Sequence, residues 1–401
     1  MKKENFRWFV VIAALVIQLC LGAIYSWSVF VNPLKSTYGF TTTQTQIIFS
    51  VALATFAVVM VFAGRWQDKI GPKKVAIVGG LLIGLGYIIA RFSNGNFYNI
   101  ILGIGIVGGA GIGFGYVCPI AACVKWFPDK RGLITGLAVA GFGAGAWVFA
   151  QLASTLMDKV GIPATFMTLG MIFLVGVVLS SFLMINPPAG WTPKGFKAKT
   201  NEAAKKTVNN ISWQSMIKHK QFWFLWIMFV FGAAAGLMVI GNLKPFGVFS
   251  GLTAAVAGSA VGILALFNGA GRIIWGWTSD KIGRTKAMAI MFVLQGIMML
   301  ILMKMGSTAL LLGIAAAWVG FNFGGNFALF PSATADFFGT KNLGVNYGFV
   351  FTSYGVAGIL GPILGGKVFD VTGSYAYAFI PSGILCLIAA GLALITKKPK
   401  K

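Results

Sequence analysis

Long apolar runs alternate with short polar joints twelve times along this chain, and nothing else in the sequence restricts its fold as much. The runs fall near residues 8–31, 45–64, 75–92, 97–123, 133–157, 164–186, 222–243, 255–277, 287–304, 308–335, 344–366 and 375–396. Each is close to, or longer than, the ~20 residues that an α-helix needs to cross the ~30 Å hydrocarbon core of a bilayer. Lipid gives a backbone no hydrogen-bond partner, so a spanning segment satisfies itself as a helix. Hydrophobic residues make up 57% of the sequence and charged ones 10%, against about 25% charged in soluble domains. The expected fold class is all-α, a polytopic membrane protein with twelve transmembrane helices. The first run follows Lys2, Lys3 and Arg7, as a secretion signal would. It continues from Trp8 to Val31 and ends in Asn32-Pro33 without a small-residue cleavage site, which reads as a retained helix.

The formal net charge is +24, but its distribution argues against a nucleic-acid partner. With both termini in the cytoplasm, 25 of the 32 Lys and Arg fall on the cytoplasmic side, in the tails, the central joint and the alternate loops. The other side keeps six: Lys35, Arg91, Lys159, Lys244, Lys304 and Lys367. This is the positive-inside pattern. It predicts a multi-pass protein of a plasma (inner) membrane, with cytoplasmic termini and a basic face in contact with anionic lipid headgroups. A monomer is expected. Cys20, Cys118, Cys123 and Cys386 lie in or at the ends of apolar runs without metal-ligand spacing, and His219 stands between Lys218 and Lys220. The thiols read as packing groups, and no metal or cofactor is expected.

Residues 187–220 break the pattern, with Pro187, Pro188, Pro193, seven lysines and no apolar period. They read as a cytoplasmic linker, with a short helix near Trp213, between six-helix halves at 1–186 and 221–401. The halves repeat a loop: Gly64, Asp68, Gly71 and Lys74 return as Gly276, Asp280, Gly283 and Lys286, each 212 residues on. This loop resembles the signature loop of the major facilitator superfamily, and the resemblance runs the whole length of the chain. It implies the major facilitator fold of two six-helix halves. In physical terms the glycines permit a tight turn and close helix approach. The Asp is suited to accept hydrogen bonds from a neighbouring helix N-terminus, while the bases hold the headgroup side. These eight residues are therefore expected to act as gating latches. Glycine is also dense in the fourth, fifth and eleventh runs, which favours helices that pack closely and slide.

One cation, Arg272, falls inside the eighth run, about 12 Å along the helix from Asp280. A charge at that depth costs at least about 2.5–3.5 kcal/mol and marks a functional position by default. Its counterpart in the first half, 212 residues earlier, is Met60, so the repeated fold itself requires no cation there. The eight acids (Glu4, Asp68, Asp129, Asp158, Glu202, Asp280, Asp336 and Asp370) lie in loops, tails or helix ends, which leaves Arg272 without an evident carboxylate partner. A guanidinium in that position suits a ligand that brings its own negative charge. Asn268, four residues earlier, shares its helix face. Tyr25, Tyr116, Tyr354, Phe323, Asn326 and Phe327 lie on other runs, each readable as cavity wall or as ordinary packing.

Several stretches resemble the oxalate/formate antiporter family. They are Lys125-Trp-Phe-Pro-Asp-Lys-Arg-Gly-Leu133 with Gly136 and Gly141, Tyr25-Ser-Trp27, Phe267-Asn-Gly-Ala-Gly-Arg272, Ala328-Leu-Phe-Pro-Ser332 and Asn346-Tyr-Gly348. The related monocarboxylate transporters share the arginine of the eighth helix. The resemblance implies that Arg272 binds a carboxylate inside a cage of Tyr25, Tyr116, Phe323 and Phe327. Two departures sharpen this. Oxalate exchangers carry a lysine on the eleventh helix where this chain has Tyr354, and one cation suits one carboxylate. Proton-coupled monocarboxylate transporters often carry Asp where this chain has Asn268, which cannot hold the proton.

The expected function is secondary transport of a small monocarboxylate (lactate, pyruvate or formate) by alternating access, with exchange, uniport and proton symport all open. Oxalate/formate-type dicarboxylate exchange is the alternative. Sugar and drug carriers commonly use intramembrane acids or dense polar clusters, an enzyme needs a catalytic group, and a receptor needs a larger cytoplasmic domain. The sequence offers none of these.

Overall fold

The computed structural model describes residues 3–127, 131–188, 191, 193, 211–339 and 343–399, and those residues contain helices and connecting turns but no strand. The chain order is α1 (Lys3–Gly22), a 3-10 turn (Ala23–Ser26), α2 (Ser28–Tyr38), α3 (Thr42–Ile70), α4 (Pro72–Arg91) and α5 (Phe97–Ile100). A π-helical stretch (Ile101–Gly108) then leads into α6 (Gly109–Trp126), followed by α7 (Arg131–Ser181) and α8 (Trp213–Met216). The second half holds α9 (Lys220–Phe249), α10 (Ala254–Ile282), α11 (Arg284–Met305), α12 (Ala309–Phe338), α13 (Leu343–Thr372) and α14 (Ala376–Ile395).

Among the described residues, eleven helices are long and apolar enough to cross a membrane. One of them, Leu137–Ser181, has 45 residues. At 1.5 Å per residue it would measure roughly 68 Å, more than twice a bilayer core. It does not run straight: Gly161 takes φ 76° and ψ 171°, and Pro163 follows. That break divides α7 into two crossings and brings the number to the expected twelve. Large side chains such as Ile12, Phe62, Leu179 and Leu394 stand more than half exposed, which hydrocarbon tolerates and water would not.

The chain has a loop face, which carries the two repeated loops, and an opposite face. Four of the helices that begin on the opposite face start with a capped turn, and α14 does not. Thr41 and Gln44 form a reciprocal capping box, and the side chains of Asn96, Thr253 and Thr308 accept from backbone N–H groups of α5, α10 and α12. On the loop face, Gly71 (φ 86°, ψ 157°) and Gly283 (φ 93°, ψ 150°) each end one helix and begin the next in the same left-handed conformation. A side chain there would be strained, which explains why glycine occupies this position twice. The close helix approach expected of the other pair is not seen. A Cβ on Gly64 would meet open space, and one on Gly276 would make ordinary contact with Ala328 at 3.5 Å.

Of the linker, residues 194–210 lie outside the described residues, as do Asp129, Lys130 and the side chains of Glu4 and Asp68. Its last part is helical around Trp213, as expected, and is docked on the second half. Ile211 N–H donates to the Phe338 carbonyl at 2.9 Å, Asn346 Nδ2 donates to the Ile211 carbonyl at 2.9 Å, and Trp213 stacks on Phe349 at 4.7 Å. The halves meet along two seams, α7 against α10 and α3 against α13.

Candidate functional site

Arg272 sits about two-thirds of the way along α10, only 1% exposed, at the α7–α10 seam. Its Nε donates to Asn268 Oδ1 at 3.1 Å, one helical turn back, as the four-residue spacing predicts. Its Nη1 donates to the backbone carbonyl of Val139 on α7 at 3.0 Å, so the guanidinium bridges the halves. The backbones approach closely here because both helices carry glycine: a Cβ on Gly143 would stand 2.8 Å from the Gly269 nitrogen. The guanidinium carbon lies 4.3 Å from the ring centre of Phe327 and 5.7 Å from that of Phe142, within cation–π range. Nη2 is buried and makes no hydrogen bond of good geometry, although the hydroxyls of Tyr25 and Tyr116 stand near the guanidinium. Among the described residues no carboxylate pairs with Arg272, and the structure supplies two neutral acceptors, Asn268 as the sequence suggests and the Val139 carbonyl, which it does not show. Those acceptors orient the charge without cancelling it.

Aromatic rings enclose the guanidinium. Tyr25, in the 3-10 turn of the first crossing, packs on Phe142 at 5.2 Å and on Phe323 at 5.6 Å. Phe323 packs on Phe327 at 5.3 Å, and Phe327 on Tyr354 at 5.5 Å. Tyr116 packs on Phe142 and Phe56, each at 5.1 Å, while Phe351 stacks on Tyr354 at 4.8 Å. The hydroxyls of Tyr25 and Tyr354 share a hydrogen bond of 2.9 Å across the two halves. Arg272 acts on the hydroxyls of Tyr25 and Tyr116 both through its charge and as a nearby donor, although neither contact has the geometry of a full hydrogen bond. Arg272, Asn268, Tyr25, Tyr116, Tyr354, Phe323 and Phe327 thus come together, all buried. Asn326 does not join them. Its amide donates to the Phe323 carbonyl at 3.1 Å, and its Oδ1 is turned towards Gly232 on α9, behind the ring wall.

A sequence profile of the Major Facilitator Superfamily matches residues 10–360 and, a second time, 244–401. The chain belongs to the major facilitator superfamily. The oxalate:formate antiporter of Oxalobacter formigenes is 32% identical over 401 aligned residues, covering 96% of this chain and 90% of the relative. Monocarboxylate transporter 2 of Rattus norvegicus is 26% identical over 418 residues, covering 98% and 83%. A crystal structure of a bacterial homologue of the human lysosomal transporter Spinster, inward-facing and unoccupied, matches with a TM-score of 0.71. It covers 97% of this chain and 96% of that one at 14% identity, a likeness of fold alone. Membership makes the chain a secondary transporter and not an enzyme.

As in any carrier of this superfamily, the two faces of the molecule have to be closed in turn. On the opposite face the halves are tied directly. Asp370 Oδ2 accepts from Thr43 N–H at 2.8 Å and from Thr43 Oγ1 at 2.5 Å, and Gln46 Nε2 donates to the Gly241 carbonyl at 3.0 Å. On the loop face, Asp280 does not accept from a neighbouring helix N-terminus as the sequence suggests. It pairs with Arg284 Nη2 at 2.6 Å, and Arg284 Nε reaches Asp336 on α12 at 3.1 Å while its Nη1 donates to Ser279. The triad ties α10, α11 and α12 within one half. Lys74 and Lys286 are exposed on the same face. Sequence reasoning missed Arg284 and Asp336 as a pair, and Phe56, Phe142, Phe351 and the Val139 carbonyl as walls of the site. A basic residue opening α11 and an acid closing α12 were visible signals for the pair; the apolar residues carried none.

Proposed function

We propose that this chain carries a small monocarboxylate anion, of the lactate, pyruvate or formate type, across a plasma membrane by alternating access. The observation that carries the reading is the buried Nη2 of Arg272, a charged donor with no partner of good hydrogen-bond geometry, beside the equally unpartnered Asn268 Nδ2 in the aromatic cage. A buried unsatisfied charged donor costs more than the roughly 1–3 kcal/mol of a neutral one, and a carboxylate removes that cost by accepting a charge-assisted hydrogen bond. The cage suits an anion with an apolar portion. Tyr354 stands where oxalate exchangers carry lysine, so one cation faces one carboxylate. Asn268 holds the guanidinium, and Tyr25, Tyr116 and Tyr354 offer hydroxyls to the cargo. The two repeated loops (Gly64, Asp68, Gly71 and Lys74; Gly276, Asp280, Gly283 and Lys286) serve as latches on a cytoplasmic face, with both termini on that side. Coupling is by exchange or by a proton that travels with the cargo. The named activities of the oxalate:formate antiporter and of monocarboxylate transporter 2 support an organic anion as cargo.

The test is uptake of radiolabelled lactate, pyruvate, formate and oxalate into proteoliposomes, for the parent and Arg272→Gln, with and without an imposed pH gradient. Saturable uptake of a monocarboxylate, lost in the variant, is expected. Preference for oxalate would move the reading to a dicarboxylate exchanger. Uptake equal in parent and folded variant would make Arg272 a structural residue.

A further inference from the structure

A second cation lies on the seam that holds Arg272. Lys244, near the end of α9 on the opposite face, is only 8% exposed. Its Nζ lies 3.5 Å from Ser154 Oγ on α7, and its Cε would be 3.9 Å from a Cβ on Gly258 of α10. The side chain therefore crosses from the second half to the first, over the closed mouth of the seam. Along α10, Gly258 precedes Arg272 by fourteen residues, about 21 Å of helix; along α7, Ser154 follows Val139 by fifteen, about 22 Å. Both helices thus set the two cations at the same separation, one at the mouth and one at mid-membrane.

The internal repeat shows that the fold does not need the mouth cation. Moving 212 residues back from Lys244-Pro245 reaches Asn32-Pro33, so the first half keeps the proline and not the charge. Nor is the ammonium neutralised where it lies. Among the described residues no carboxylate comes within ion-pair reach; Asp158, one turn beyond Ser154, is exposed and acts on Lys244 only at longer range. Thr43 with Asp370, and Gln46 with the Gly241 carbonyl, already tie this face shut. A nearly buried, weakly tethered cation contributes little to that closure. When the halves part on this face, Ser154 and Lys244 separate and the ammonium is left facing the open vestibule.

We propose that Lys244 is an anion-capture site at the mouth opposite the repeated loops, where it concentrates small carboxylates before they descend to Arg272. The inference rests on the anionic cargo proposed above. A cation lining a low-dielectric vestibule raises the local concentration of an anion and its rate of arrival, about tenfold or more, and salt removes the effect.

Two measurements test it. In oriented proteoliposomes at low ionic strength, Lys244→Gln is expected to raise the half-saturating lactate concentration at least about fivefold from this side. The rise should shrink in high salt and be absent from the loop side. Lys244→Arg should restore the parent value, and Ser154→Ala, which removes the tether but keeps the charge, should leave it unchanged. The second measurement does not depend on transport. Ser154→Cys is labelled with impermeant anionic (sulfonatoethyl) and cationic (trimethylammonioethyl) methanethiosulfonates, and the ratio of the two rates cancels the fraction of ionised thiol. The four native cysteines are buried, so the introduced thiol dominates the reading. Lys244→Gln should lower the anionic-to-cationic ratio at least about threefold. If the parent moves carboxylates and neither the half-saturation nor the ratio responds to Lys244→Gln, the capture site is refuted and the cargo reading stands. If the parent moves no carboxylate, the cargo reading fails and the capture role falls with it, whatever the ratio shows.

Discussion

Arg272→Lys keeps the charge at the centre of the site and removes its planar fork. The guanidinium has five N–H groups. One on Nε goes to Asn268 and one on Nη1 to Val139, which leaves one on Nη1 and two on Nη2 for a carboxylate. Two of these can point in parallel at the two oxygens of one cargo molecule. A lysine ammonium has three N–H groups at a single point. If it keeps Asn268 and Val139 satisfied, it has one left; if it turns to the cargo, two buried acceptors lose their donor. Either way about one charge-assisted hydrogen bond is lost, roughly 1.5–3 kcal/mol. At 1.4 kcal/mol per decade this weakens carboxylate binding about 10- to 150-fold. Loss of the planar contact with Phe327 at 4.3 Å adds to the deficit. The assay is equilibrium binding of lactate to detergent-solubilised parent and Arg272→Lys, with thermal unfolding of both to establish that the variant is folded. A variant that binds within about threefold of the parent, below the bottom of the 10- to 150-fold range, would refute the reasoning. The site would then read charge alone, and the orphaned Nη2 would not be the cargo's donor.

Two further outcomes follow from the same geometry. Tyr25→Phe or Tyr354→Phe alone strands one buried hydroxyl, costing about 1–3 kcal/mol, whereas the double variant strands none. Unfolding measurements should show the double variant less destabilised than the sum of the singles, and strict additivity would mean that the two hydroxyls do not bond. A Cβ on Gly271 would collide with the Phe321 carbonyl on α12, so Gly271→Ala should destabilise the second half by about 1–3 kcal/mol. Gly276→Ala, five residues on and in ordinary contact, should leave the unfolding temperature nearly unchanged; equal effects at the two positions would refute the packing account.

Much of this protein is legible without its structure because lipid imposes a simple rule on every spanning residue. Twelve apolar runs had to be helices, the basic joints had to share a side, and one arginine in an apolar run needed a reason to be there. The link between Asn268 and Arg272 was equally legible, since it depends only on spacing along one helix. The break at Gly161 was readable as a joint between two runs, and the backbone there is non-helical.

What crosses between helices was not. Phe56, Phe142 and Phe351 look like any other apolar residue in a lipid-facing run, because in a membrane helix hydrophobicity does not distinguish inside from outside. The carbonyl of Val139 has no letter of its own, yet it holds the functional charge across the seam. Asn326 looked as suitable as Asn268, but the rotation of α12 turns it to α9. Arg284 is one base among several in its loop, and only the end of α12 shows it shared between Asp280 and Asp336. Helix identity follows from local chemistry and the solvent. Which face meets which depends on glycine-permitted contacts between residues as far apart as Gly143 and Gly269, and those are settled only when the halves pack.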